Sequence, residues 1–346
     1  MKSFQCDRCG SAAAFEADRC VSCDVALGYL PDQRVLAALD PGPEPATLCD
    51  QMSGAMWRRC LNAAWGCNWM VAVDEPTTWC RSCRLTRSRP DVARTDAIEA
   101  WMRAEADKRR LVHQLDTLGL PVEERTGDAP NGLVFDLVHL PGEPALTGHR
   151  DGVITLDLLE ADERHRDALR HQLDESFRTV LGHLRHEVGH YYWARLVGQS
   201  DYLGGFRQIF GDERVDYRDA VAAHYATARV TQSDNRYISH YAQAHPLEDW
   251  AETFAHYLHI LDATGTAVAQ GLTIDDHRRP DAVASIAEIV DMWRPIAQAV
   301  NAVSASLGSP PMYPFVLSEA VVEKLGFVHD RVGEHTERVR FYSATV

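Results

Sequence analysis

No stretch of this 346-residue sequence approaches the roughly 18 consecutive apolar residues that a membrane-spanning helix needs, and the opening MKSFQCDRCG has no apolar run of the secretory kind. The expected compartment is the cytoplasm, with no membrane association. Low-complexity tracts are missing, as is any internal repeat beyond two clusters of cysteines. Composition excludes a disordered chain, because hydrophobic residues make up 45% and charged residues 25%. Positive charge is scarce: the formal net charge is −15. Residues 1–56 hold 4 basic and 8 acidic side chains and residues 57–94 hold 7 and 3, so these two segments cancel and the whole excess lies beyond them. An acidic main region repels a phosphate backbone, and nucleic acid is therefore not the expected substrate.

The chain is too long for one small core. Its organisation reads as an N-terminal zinc ribbon at 1–32, a second ribbon-like module with a linker at 33–95, and a main domain at 96–346. Segment 31–56 contains PDQ and PGPEP, which read as turn and connector chemistry. From Ala97 the pattern AIEAWMRAEADKRRLVHQL is helical. Two strands are predicted in GLVFDLVHL and GVITLDLL, separated by PGEPALTGHRD. A long helix is expected from about Asp162 to Val197, with further helix around 211–230, 246–262 and 280–306.

The nine cysteines are spaced for metal more than for disulfides in a reducing compartment. Cys6-x2-Cys9 and Cys20-x2-Cys23 place four thiolates on two knuckles, the donor set of a structural zinc ribbon. Cys60, Cys67, Cys80 and Cys83 form a second candidate site, in which only the last pair has knuckle spacing. Cys49 is expected to be a free thiol, with replacement of Cys60 as the alternative. Closed sites of this kind contribute folding energy and no chemistry.

Within the long helix lies HLRHEVGHYYW, residues 183–193. Residues four apart share a helix face, so His186 and His190 can offer imidazole nitrogens to one ion, and zinc suits such a pair. Glu187 is displaced around the helix, where a carboxylate can contact a bound water as general base without ligating. Gly189 costs about 1 kcal/mol relative to Ala inside a helix, which asks for a close-packed neighbour. A third ligand is needed. Trp193 and Leu196 stand where a metzincin would carry Gly and His, so that pattern fails. HPLEDWAETFAHYLHI, residues 245–260, offers Glu248 and Glu252 on one face of a helix opened by Pro246. The gluzincin pattern implies Glu248 as ligand and Glu252 as the carboxylate supporting a ligand histidine. His183, His256 and His259 are left out of the ligand set.

Together with CNWMV, CRSCRLTRSRPD, FGDERVDYRDA and YPFVLSEAVVEKLGFVH, these motifs resemble a bacterial family of zinc-binding metallopeptidases that begin with a zinc ribbon, over nearly the whole chain. The resemblance implies an α+β, zincin-like domain, mostly helical, preceded by two ribbon modules, with one catalytic and about two structural zinc ions. A narrower likeness is to the catalytic domain of the anthrax lethal factor type, where a Tyr lies seven residues before the ligand Glu. Tyr241 stands seven before Glu248 and is implied as an oxyanion donor, with His240 and His245 as weaker alternatives and aromatic packing as the plain reading. FGDERVDYRDA, including Tyr217, reads as capping and surface ion pairing. The expected substrate is a protein or peptide held by strand addition. The competing reading is a ribbon adaptor or nucleic-acid-associated protein of the SprT-like kind, prompted by Arg81, Arg84, Arg87, Arg89 and Arg94. A protein partner for the ribbons is compatible with either.

Overall fold

The computed structural model describes residues 4–91, 93, 95–139, 147–161, 179–226, 234–272 and 285–344. Strands β1 (Phe4–Gln5) and β2 (Ala12–Ala13) form a small hairpin at the first cysteine pair. Then β3 (Ala26–Leu30), β4 (Val35–Pro41), β5 (Thr47–Asp50), β6 (Met56–Arg59) and β7 (Met70–Ala72) make an antiparallel meander. Segment 31–56, expected to be a connector, therefore carries β4 and β5. Its turn residues lie inside a sheet: the β3–β4 turn spans 31–34 with Arg34 at φ 56°, and the β4–β5 turn spans 42–46 with Ala46 at φ 63°. PDQ and PGPEP are hairpin turns, because turn chemistry is the same in a linker and between short strands.

Alternation along this sheet gives it two apolar faces. Leu27, Tyr29, Leu36, Ala38, Trp69 and Val71 join the main core, while Leu30, Ala37, Leu39, Trp57 and Met70 form a second small cluster. The main-core face docks on α2 (Thr95–Thr117), which follows the short α1 (Arg81–Arg84) and β8 (Thr86–Ser88). Around His113 of α2 stand Phe4, Phe15 and Tyr29, and the Tyr29 hydroxyl is 2.6 Å from His113 Nδ1. Arg110 to Glu16 at 2.6 Å and Arg81 to Asp116 at 2.9 Å flank this contact.

Strand β9 (Val134–Val138) runs parallel to β8 and to β11 (Val153–Asp157), and β10 (Gly148–Arg150) is an antiparallel edge beside β11. The two predicted strands are β9 and β11; β8 and β10 went unforeseen. On β9, Phe135 and Leu137 point to the core while Asp136 pairs with Arg87 of β8 on the other face. Asp151 at φ 49° and Gly152 at φ 82° turn β10 into β11, the Asp-Gly hairpin chemistry. A Cβ at Gly152 would lie 2.3 Å from the Gly132 carbonyl oxygen, so only glycine fits. Among the described residues β10 is an edge strand of this sheet, whereas β11, the strand of GVITLDLL, is covered on both sides.

The remainder is helical: α3 (Val180–Leu196), α4 (Leu203–Ile209), α5 (Tyr217–Ala226), α6 (Pro246–Ala269), α7 (Ile286–Ser306) and α8 (Glu319–Ala344). The part of the long predicted helix at 162–178 lies outside the described residues. Helix α6 is the hub, touching α3, α7 and α8, with Trp250 and Phe254 fully buried. Gln114 of α2 ties these layers together: it donates to the Leu258 carbonyl at 2.6 Å and accepts from Arg185 Nε at 3.0 Å, and Arg185 in turn pairs with Asp262 at 2.7 Å. Among the described residues no helix is long and apolar enough to cross a membrane.

Candidate functional site

Both cysteine clusters converge. Cys6 and Cys23 Sγ atoms are 3.8 Å apart and Cys9 and Cys20 3.6 Å; in the second cluster Cys67 lies 3.7 Å from both Cys80 and Cys83, with Cys60 completing the group. Zn–S bonds of about 2.3 Å in a tetrahedron give sulfur–sulfur edges of about 3.8 Å, so the donor spacing fits zinc. Cys49 sits apart on β5, with its thiol facing the Asp50 carbonyl at 3.7 Å.

A third group brings His186 and His190 of α3 to Glu248 of α6. Thr179 caps α3 by accepting from Gly182 N at 2.9 Å, and His245 caps α6 by accepting from Leu247 N at 3.1 Å, with Pro246 in the first turn. The helices meet at Gly189, where a Cβ would lie 3.0 Å from Ala251 Cα, and Trp250 Nε1 donates to the Gly189 carbonyl at 2.8 Å. That close approach accounts for the helical glycine. It sets His186 Nε2 3.2 Å from His190 Nε2 and 3.0 Å from Glu248 Oε2, while His190 Nε2 is 3.4 Å from Glu248 Oε1. Zn–N bonds of about 2.0–2.1 Å imply edges of about 3.3 Å, which these three donors match. Glu248 is fully buried, and its Oε2 has no hydrogen-bond partner, as expected of an atom reserved for a cation.

The other ring nitrogen of His186 is held by Glu252, Nδ1 to Oε1 at 2.7 Å. A proton held on Nδ1 by this carboxylate would leave Nε2 as the atom offered to a metal. Burial works against the Glu252 charge, but the hydrogen bond to His186 holds the carboxyl down to about 2. Glu187 is buried on the same helix. His149 on β10 lies against His190, ring centroids 6.4 Å apart, and burial followed by the charge of His190 lowers it to about 4.

Tyr241 lies beside the site, its ring 5.9 Å from that of His186. Tyr217, which the sequence reading gave no duty, donates a hydrogen bond to Glu248 Oε1 at 2.7 Å. Burial first, then the charge of Glu248, pushes both phenols up, with Glu187 also acting on Tyr217. Nothing in the spacing of FGDERVDYRDA points at Glu248, since the contact is made across 31 residues. Four further histidines have partners away from these donors. His245 Nε2 donates to the Val215 carbonyl at 3.0 Å, His256 Nδ1 meets the Tyr313 hydroxyl at 2.9 Å, His259 meets Arg185 at 2.5 Å, and His183 pairs with Glu160.

Residues 97–331 match the family described as "Putative zinc-binding metallo-peptidase", and residues 3–94 match a zinc-ribbon domain. Relatives in Mycobacterium bovis and in two strains of Mycobacterium tuberculosis are each 42% identical over 340 residues, covering 96% of this chain and 96% of their own, and each is described as an uncharacterized protein. No solved structure matches the chain. With two four-cysteine clusters in its first 94 residues and the His186–His190–Glu248 group beyond them, the chain belongs to this family of zinc-binding metallo-peptidases with an N-terminal zinc ribbon.

Proposed function

We propose that the protein is a zinc-dependent peptidase of the gluzincin type that cleaves a protein or extended peptide. The observation that carries this reading is the convergence of His186, His190 and Glu248 at zinc spacing, with three protein donors among the described residues and so one open position. Zinc bound there supplies a polarised carbonyl and a water whose pKa falls toward about 7. Glu187 takes the proton from the attacking water and passes it to the leaving amine. Tyr241 donates to the oxyanion that develops on the scissile carbonyl. Glu252 keeps His186 in the tautomer that leaves Nε2 unprotonated. Strand β10, with one edge unpaired among the described residues and His149 next to His190, is suited to hold the substrate backbone by strand addition.

The rival adaptor reading rests on the arginine run, and three of its five charges are matched by carboxylates. Arg81 pairs with Asp116, Arg84 with Glu75 and Glu124, Arg87 with Asp136, while Arg89 lies over the rings of Trp79 and Trp101. Arg94 lies outside the described residues. Such pairing favours the peptidase reading, because counterion release by phosphate binding needs free cationic groups.

The decisive variant is Glu187→Gln, which keeps the size of the side chain and leaves the three donors untouched. Zinc content should stay constant while hydrolysis of a peptide library followed by mass spectrometry falls by roughly 10²- to 10⁴-fold. Full activity in this variant rules the mechanism out.

A further inference from the structure

The sequence reading leaves α5 as surface, and in its described residues none is buried. Yet this helix delivers Tyr217 to one carboxylate oxygen of Glu248. Oε1 accepts from the Tyr217 hydroxyl at 2.7 Å; Oε2, nearest to His186 Nε2 at 3.0 Å, has no hydrogen-bond partner and is fully buried. A carboxylate has two equivalent oxygens and a torsion that exchanges them, so an acid that must present one of them needs a partner on the other.

From this division we infer that Tyr217 is a positioning residue for the third ligand: its phenol captures Glu248 Oε1 and restrains the carboxylate against rotation, so that Oε2, which has no hydrogen-bond partner, would be left for an ion. The inference rests on Glu248 being a metal ligand and goes beyond it, by assigning the residue that sets its orientation.

The position of the phenol is itself built. His245, the capping residue of α6, donates from Nε2 to the carbonyl of Val215 at 3.0 Å, two residues before Tyr217, and its ring packs edge-on against Tyr217 with centroids 5.3 Å apart. Because His245 Nδ1 already accepts from Leu247 N, its Nε2 carries the proton, and this donor direction is fixed. The start of α6 thus holds the start of α5, three residues ahead of the ligand that Tyr217 grips. The ion pair of this segment is made elsewhere, between Asp212 and Arg214 at 2.7 Å.

The test reads metal affinity and not turnover. Zinc-loaded full-length protein is titrated with a chromophoric chelator, and the dissociation constant of the labile ion is compared between wild type and Tyr217→Phe. Tyr217 is 44% exposed on a helix with no buried residue, so the variant should fold. Loss of the phenol should weaken the labile ion by roughly 10- to 100-fold and leave the ribbon ions in place. The same substitution in a Glu248→Asp background should cost nothing further, because the shortened carboxylate no longer reaches the phenol; where that background leaves no measurable binding, the single Tyr217→Phe comparison decides. Unchanged affinity in Tyr217→Phe, or an equal loss in both backgrounds, overturns the assignment. A wild type that holds the labile ion but hydrolyses no peptide sinks the peptidase reading and leaves this comparison standing; a wild type with no labile ion overturns both.

Discussion

The ribbon region and the helical domain both gather donor atoms at the edges of a zinc tetrahedron, and they differ in how many corners the protein fills. Each cysteine cluster supplies four thiols, and in the second all four are buried, leaving no position for a reactant. The helical site supplies two imidazoles and a carboxylate, and His190 keeps more exposure than its partners. Four filled corners contribute to the fold; three leave room for chemistry. The supporting contacts differ too. Thiolates need few partners beyond backbone amides, such as Cys83 N to Cys80 Sγ at 3.4 Å. The open site is surrounded by orienting groups, Glu252 on His186 and Tyr217 on Glu248.

The sharpest break of this comparison comes from the closed side. Cys80→Ser removes one corner of the buried cluster, against which α2 and the meander both pack. Structural zinc sites of this kind are coupled to folding by about 10–16 kcal/mol, so the ribbon should unfold. Element analysis should find one structural ion missing, and circular dichroism should show lost strand content. A folded Cys80→Ser protein with unchanged zinc would place the second cluster among ordinary core cysteines.

On the open side, Glu248→Ala should strip the labile ion and activity while both ribbon ions and the fold survive. A chelator should reproduce this selectively in the unmutated protein, because a site with a free position exchanges faster than a closed thiolate cage. Stepwise zinc release monitored with a metal-sensitive dye reads both. Release of all ions in one step would erase the distinction between the regions. A smaller effect belongs to Glu252→Ala, which removes the carboxylate on His186 Nδ1 and should weaken the labile ion by roughly 10- to 100-fold without emptying the site at high zinc. If Glu252→Ala empties the site and Glu248→Ala keeps it, the two carboxylates have exchanged roles.

How much of this was legible in the sequence depends on whether the signal was periodic. His186 and His190 share a face by helix geometry, and Glu248 and Glu252 do so again, while the expectation that the two pairs meet came from the gluzincin pattern. Four-residue steps say nothing of the neighbour across the gap. Tyr217 reaches Glu248 over 31 residues with no repeating pattern, and so it read as surface. The meander was lost for another reason: β4 and β5 are short, and their Pro- and Gly-containing turns look the same as a linker when only local chemistry is seen. Strand β10 left a trace in Asp151-Gly152, a hairpin signal overlooked because β10 itself is three residues long.

Gly189 is where the two kinds of signal meet, and it yields the smallest expected effect. A glycine in the middle of α3 forgoes about 1 kcal/mol of helix stability relative to alanine, so an isolated-helix argument makes Gly189→Ala stabilising. In the fold its Cβ would stand 3.0 Å from Ala251 Cα, 3.1 Å from the Ala251 oxygen and 3.3 Å from Phe254 Cβ. Two of those three atoms are backbone, which cannot swing aside. Overpacking of this kind typically costs about 1–3 kcal/mol, so it outweighs the helix term, with a net loss of about 1 kcal/mol expected from urea unfolding. The accompanying change should be larger in metal affinity than in stability, because relief of the contact pushes α6 away from α3 and lengthens the histidine-to-Glu248 distances. Stabilisation with unaltered zinc binding would mean that α3 and α6 do not meet at this residue, and the helix crossing that holds Glu248 against His186 and His190 would have to be redrawn.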